Sequence, residues 1–201
     1  MTQLMVVVGS TRPGRAALPI ARWFTGQAES HGGFDTTVVD LAELALPLLD
    51  EPAVPRLGQY TQQHTRRWSA LVAAADAVVL VTPEYNFGYP AALKNAIDYL
   101  HHEWHHKPVG FVSYGGVAAG TRAVQQLKQV VTTLRMLPVV EAVHIPWHPR
   151  FIIDGRFRPD EATAQAAVAM LDELVRAEAA LRALRVAGRS APVAAGSPRE
   201  R

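Results

Sequence analysis

The chain has 201 residues, a net charge of +2 and no cysteine. That length suits one well-buried domain, and the missing thiols exclude disulfides, thiolate metal ligands and a cysteine nucleophile. The basic residues are scattered and not interleaved with aromatics, so no stripe for a nucleic acid is present. No apolar run reaches the roughly 18–20 residues of a membrane span. The start, Met1-Thr2-Gln3, leads straight into an apolar stretch with no charged leader, so a soluble cytoplasmic protein is expected.

Leu4–Val8 is a continuous apolar run ending at Gly9, the pattern of a strand buried on both faces. A helix is expected over Arg15–Ser30, a second strand over Thr36–Leu41, and a Pro-containing loop over Pro47–Pro55. A helix over Tyr60–Ala75 leads to a third strand, Ala77–Val81. A helix over Pro90–His101 precedes a fourth strand, Pro108–Ser113, and a helix over Ala118–Met136 a fifth, Val139–His144. An irregular stretch, Ile145–Pro159, leads to a last helix over Asp160–Arg185. Residues 1–186 read as one domain. The tail from Ala187, rich in Ala, Pro, Gly, Ser and Arg, is expected to be disordered.

Strands alternating with helices indicate an α/β doubly wound domain, with helices on both faces of a five-stranded parallel sheet. At this size the natural strand order is the flavodoxin-like 2-1-3-4-5. Ligands of such sheets bind beyond the carboxyl ends of the strands, where the order switches. Three loops therefore matter: Gly9–Arg15, Pro83–Tyr89 and Tyr114–Arg122.

The first loop reads Gly9-Ser10-Thr11-Arg12-Pro13-Gly14-Arg15. It joins flexible backbone, two hydroxyls, two guanidiniums and a helix N-terminus, all of which favour a phosphate. It is neither a Walker A loop nor the GxGxxG fingerprint of a dinucleotide site, so a mononucleotide phosphate is indicated. The second loop, Thr82-Pro83-Glu84-Tyr85-Asn86-Phe87-Gly88-Tyr89-Pro90, is rigid and aromatic. It offers stacking surface to a flat heteroaromatic ligand, or packing surface to a second subunit. Asp40, at the end of the second strand, reads as a loop cap. Trp147-His148-Pro149-Arg150-Phe151 fits either a pocket lid or an interface.

GSTRPGR after strand one, TPEYNFGYPAALKNAIDYL after strand three and VSYGGVAAGTRA after strand four resemble the NADPH-dependent FMN reductase family. The similarity covers about residues 3–180, and the family includes quinone, azo-dye and chromate reductases. The resemblance implies bound FMN and an NADPH or NADH co-substrate. It assigns the phosphate to Ser10, Arg12 and Arg15, with Thr11, Gly14, Ala16 and Ala17 alongside. Pro83, Glu84, Tyr85, Asn86 and Phe87 would hold the ribityl chain and ring; Ser113, Tyr114, Gly115 and Gly116 would border the ring's edge.

The chemistry then belongs to the flavin, with hydride passing from NAD(P)H to a quinone, azo compound, metal oxyanion or free flavin in ping-pong fashion. No catalytic side chain is needed. The resemblance also implies a homodimer or homotetramer through the helix carrying Lys94 and Asp98, which otherwise read as an intrahelical pair.

Three other functions compete. An FMN-binding electron carrier without turnover of its own is the alternative, although such carriers are usually acidic. A phosphoacceptor domain of this fold needs acids after strands one and three, where Gly9-Ser10 and Thr82-Pro83 stand instead. The run His102-Glu103-Trp104-His105-His106 matches the HExxH signature of zinc proteases. Pro108, however, disfavours helix at Lys107, and the run enters a strand on the side away from the ligand loops. No metal site is assigned, and only incidental metal binding by the four histidines stays open.

Overall fold

The computed structural model describes residues 1–190. Its strands β1 (Thr2–Val8), β2 (Phe34–Asp40), β3 (Ala77–Pro83) and β4 (Pro108–Tyr114) form the body of a parallel sheet. The order is β2-β1-β3-β4, continued by short strands β5 (Leu137–Pro138) and β6 (Val143–Ile145), both paired with β4. This is the expected flavodoxin-like order. Every residue of β3 and β4 is buried, which explains why these strands read as unbroken apolar runs rather than alternating ones.

The helices are α1 (Ala17–His31), α2 (Leu41–Leu44), α3 (Gln63–Ala74), α4 (Ala91–Asp98), α5 (Thr121–Thr133) and α6 (Glu161–Ser190). Two cores sandwich the sheet. On one face Ile20, Ala21 and Phe24 of α1 join Met170, Leu171 and Leu174 of α6 over Val6, Val79 and Val112. On the other, Trp68 of α3, Leu93 and Ile97 of α4 and Leu127 of α5 cover Met5, Leu80 and Phe111. Trp68 is fully buried, whereas Trp23 is partly buried and set edge-on to Phe157, with ring centroids 5.1 Å apart.

Four expectations need correction. The fifth strand is not continuous over Val139–His144. It splits into β5 and β6, which pair with opposite ends of β4. Pro138 has no N–H to donate, and such residues are tolerated only on an edge. The helix expected to start at Ala118 begins at Thr121, because Gly120 holds a left-handed φ of 82° before it. The helix expected to reach His101 stops at Asp98 and gives way to a 3-10 turn, His102–Trp104. The last helix runs to Ser190, past the expected boundary at residue 186. The tail expected to be disordered lies, from residue 191, outside the described residues. No described helix is long and apolar enough to cross a membrane.

The register places the site. Val8 is level with Asp40 and Val81, Pro83 with Tyr114, and Tyr114 with Ile145. The loops that follow these residues therefore open on the same edge of the sheet.

Candidate functional site

A cleft of about 350 Å³ lies at that edge, lined by Arg12, Arg15, Ala16, Pro83, Glu84, Tyr85, Tyr114, Gly115, Gly116, Trp147, His148 and Pro149. The first wall is built by the β1–α1 loop. Gly9 donates its N–H to the Val81 carbonyl at 2.9 Å, and a Cβ there would lie 3.0 Å from that same oxygen. Only glycine lets the chain leave the sheet so close to β3. Gly14 takes a left-handed φ of 68°, and Arg15 N–H closes a turn onto the Arg12 carbonyl.

α1 then starts with Ala16 as its cap, no side-chain cap bond and no acidic residue in its first turn. The leading amides keep their partial positive charge, since nothing in the helix itself neutralises them. Arg15 is paired with Asp40, and its Nε is buried with no hydrogen-bond partner. Asp40 also accepts the Ala42 N–H at 3.0 Å, capping α2 as the sequence suggests. Its other oxygen anchors Arg15 and was not foreseen. Arg12 is exposed and makes no ion pair with an acid among the described residues.

The second wall is the β3–α4 loop. Tyr85 and Gly88 exchange backbone hydrogen bonds of 2.8 and 2.9 Å. Between them Asn86 and Phe87 both hold positive φ, 50° and 72°. This is a two-residue primed turn, in which the second position normally carries glycine. Phe87 is forced there by its surroundings: the Arg122 guanidinium lies 3.8 Å from its ring centroid and Gln126 Nε2 donates to its carbonyl at 3.1 Å. Glu84 holds Arg122 from the other side, Nε to Oε1 at 2.6 Å, and accepts the Arg122 N–H at 3.2 Å.

The third wall follows β4. Gly120 permits it, because a Cβ there would lie 2.8 Å from Ser113 Cβ and 3.0 Å from Tyr114 N. Trp147 N–H donates to the Gly116 carbonyl at 3.2 Å, and Gly115 N–H to Ile145 at 3.2 Å. His148 Nδ1 reaches the Gly115 carbonyl at 3.2 Å, and its ring sits edge-on to Tyr114 at 4.9 Å. Burial lowers the His148 pKa below its ordinary value, so the ring is neutral at pH 7. Burial raises that of the Tyr114 phenol, which stays protonated.

Of the expected site residues, Arg12, Arg15, Ala16, Pro83, Glu84, Tyr85, Tyr114, Gly115 and Gly116 meet in the cleft. The others stand behind or beside it. Ser10 is buried, its hydroxyl 2.7 Å from Tyr85 Oη, and Ala17 lies in the α1 core. Ser113 is buried and donates its hydroxyl to the Ala119 carbonyl at 2.8 Å. Gly14 forms the turn, Asn86 and Phe87 form the hairpin tip, and Thr11 faces a second cavity between α2 and α4. Trp147, His148 and Pro149 were left between lid and interface by the sequence; the structure puts them in the cleft.

The cleft fits a phosphorylated flat heterocycle: an uncapped helix, an exposed arginine and an orphaned guanidinium N–H on one side, aromatic rings and glycine backbone on the other. Residues 2–148 match a family model described as NADPH-dependent FMN reductase. An NAD(P)H-dependent FMN reductase of Schizosaccharomyces pombe is 44% identical over 148 residues, 72% of this chain and 74% of its own. An FMN-dependent NADPH-azoreductase of Staphylococcus haemolyticus is 30% identical over 131 residues, 65% of this chain and 69% of its own. Among solved structures, the flavoenzyme NAD(P)H:(acceptor) oxidoreductase FerB of Paracoccus denitrificans is similar with a TM-score of 0.71. It is 25% identical, over 90% of this chain and 98% of that one.

Proposed function

Because the chain belongs to the NADPH-dependent FMN reductase family, we propose that this cleft holds FMN with its phosphate at α1 and serves flat aromatic electron acceptors. The protein is an FMN-dependent NAD(P)H oxidoreductase. When bound, FMN would supply the redox chemistry that links NAD(P)H oxidation to reduction of a small acceptor.

The chain's own residues bind and orient. Arg12, Arg15 and the free amides at the start of α1 receive the phosphate, and Asp40 keeps the Arg15 guanidinium aimed at it. Pro83, Glu84 and Tyr85 lie along the ribityl side. The backbone of Gly115 and Gly116 borders the polar edge of the ring, where glycine allows close approach. His148, being neutral, leaves the positive charge of the cleft to the arginines.

The observation that carries this reading is the α1 terminus, with its uncapped amides and the unpartnered Arg15 Nε facing a cleft with aromatic rings. The acceptor class rests on the exposed rings at the rim, Tyr85, Phe87 and Trp147, which favour stacking over binding of a compact oxyanion. The azoreductase relative supports the same class. One open face would serve nicotinamide and acceptor in turn, so ping-pong kinetics are expected.

Purified protein should be yellow, bleach on adding NAD(P)H, and recover colour with a quinone or azo dye. Colourless protein that neither takes up FMN nor oxidises NADPH would overturn the reading. Chromate turning over faster than any quinone or azo dye would overturn the acceptor class alone.

The same reading includes a homodimer or homotetramer through α4. Lys94 and Asp98 make an intrahelical pair of 2.5 Å that stays about 40% exposed. Asn95 pins the neighbouring loop, accepting from Leu49 N–H at 2.9 Å and donating to the Pro47 carbonyl at 2.7 Å. That loop exposes Leu48, Leu49, Val54 and Leu57, an apolar surface suited to a second copy. A monomer by sedimentation at micromolar concentration contradicts this assignment.

A further inference from the structure

The HExxH run does not form the helix a zinc protease needs, yet it builds a different cluster. His101, His102 and His105 bring one ring nitrogen each within 4.8 Å of the others. Their ring centroids are 5.0, 4.9 and 5.1 Å apart, nearly an equilateral triangle. His106, at a left-handed φ of 58°, meets only the His105 ring of the three, edge-on at 6.0 Å, and brings no nitrogen into the cluster, so the residues that meet are not the pair the signature names. We propose that His101, His102 and His105 form a binding site for a divalent transition-metal ion, Zn²⁺ in the first place, distinct from the flavin cleft.

The turn that carries the rings is preorganised. Trp104 is buried, donates Nε1–H to the Ile97 carbonyl at 3.1 Å and sits edge-on to Trp68 at 5.8 Å. Glu103 turns inward and accepts from Ser69 Oγ at 2.6 Å, Tyr60 Oη at 3.1 Å and His101 N at 3.3 Å. His106 N–H donates to the Arg135 carbonyl at 2.9 Å. With Trp104 and Glu103 fixed inward, residues 101, 102 and 105 are left on the other side.

The nitrogens also have the right state. His102 Nε2 lies 2.7 Å from the Arg56 carbonyl. A carbonyl only accepts, so Nε2 carries the proton and Nδ1 keeps its lone pair. This is the outer hydrogen bond that orients metal-ligating histidines. His105 Nε2 is buried without any partner, a cost that coordination removes.

Tetrahedral zinc at about 2.0–2.1 Å from each nitrogen needs ligands roughly 3.4 Å apart, reached by small ring rotations. His102 is exposed, which leaves the fourth position to water. Glu103 is already committed to Ser69 and Tyr60, so hard oxygen-seeking ions such as Mg²⁺ and Ca²⁺ find no free carboxylate in the cluster. Arg56 and Arg135 lie nearby and weaken any cation's binding, which leaves the imidazole nitrogens to supply the affinity. Imidazoles select Zn²⁺, Co²⁺, Ni²⁺ and Cu²⁺.

The test uses full-length, tag-free, FMN-loaded protein titrated with ZnCl₂ by calorimetry and with CoCl₂ by visible absorption. One ion per chain is expected at micromolar Kd or tighter, with a tetrahedral cobalt spectrum that zinc abolishes and a raised Tm. His102→Ala, the most exposed of the three, and His101→Ala should each weaken binding at least tenfold while the protein stays folded and yellow. His64→Ala should change nothing. Several weak equivalents that persist in His102→Ala and His101→Ala, or no saturable binding at all, would refute the site.

Discussion

The two ends of β4 are built on opposite principles. At Tyr114 the chain enters a cleft with strained, underpaired groups: Phe87 at positive φ, Trp147 at φ 50°, an orphaned Arg15 Nε and an uncapped helix. At Pro108 it leaves a turn anchored by Trp104, Glu103 and Lys107, bonded into α3 and α4, where among the turn's histidines only His105 Nε2 is buried without a partner. The seven residues of β4 set the two ends six steps apart, roughly 20 Å at about 3.3 Å per residue. The difference is physical economy: groups meant for a ligand must be left unsatisfied, and the fold tolerates them only where the remainder is closed.

The largest expected effect comes from removing the cleft's charges. Arg12→Ala with Arg15→Ala deletes two charge-assisted phosphate contacts, each worth roughly 1.5–3 kcal/mol. FMN affinity should fall by about 100-fold or more, measured by fluorescence titration of apoprotein; apoprotein Tm should also fall, because Asp40 loses its buried partner, so affinity is compared per folded molecule. Unchanged affinity removes the phosphate from this loop.

At the other end the pattern should invert. Trp104→Ala empties a site buried against Trp68 and should cost about 3–5 kcal/mol of stability. FMN affinity per folded molecule should stay as it was. A parallel loss of FMN affinity would mean that the two ends are coupled.

Smaller effects sharpen the contrast. Phe87→Gly gives the hairpin the residue its backbone prefers. Relief of about 1–3 kcal/mol of strain outweighs about 0.5–1 kcal/mol of cation–π contact with Arg122. The urea midpoint should rise slightly while KM for a quinone rises too. A lower midpoint would show that Phe87 is not strained.

The least effect concerns pH. Burial raises the Glu51 pKa, but hydrogen bonds from the Thr61 N–H and hydroxyl and the Gln62 N–H outweigh it and hold the carboxyl at about 2, against an ordinary 4.5. A depressed folded-state value means stability that is complete above about 4.5 and is lost as pH falls toward 2. Glu51→Gln should flatten the acid limb of Tm against pH and leave Tm at pH 7 lowered. An unchanged acid limb would assign that loss to other carboxylates.

Much of this molecule was legible in one dimension. Unbroken apolar runs identified β1, β3 and β4 because strands buried on both faces cannot alternate. The alternation with helices limited the topology, and the order put three loops on one edge. What the loops contain could be read as chemistry because Arg12, Arg15, Tyr85, Gly115 and Gly116 are local to single turns. The resemblance to a reductase family rested on those same loops.

The rest depended on contacts between distant segments. Asp40 meets Arg15 across 25 residues, and Trp147 and His148 reach the cleft by bonds to Gly116 and Gly115. No local pattern encodes either. Ser113, expected at the edge of the ring, is instead buried, because β4 runs one residue past it and sits between β3 and β6 there.

The histidines show the limit best. Spacing fixed their number and the Lys107-Pro108 boundary that stops a helix. Only the inward anchoring of Trp104 and Glu103 decided that His101, His102 and His105, rather than His102 and His106, share one face. Sequence sets which groups are present and which backbone shapes are affordable; packing decides which of them face one another, because that choice is made by partners far along the chain.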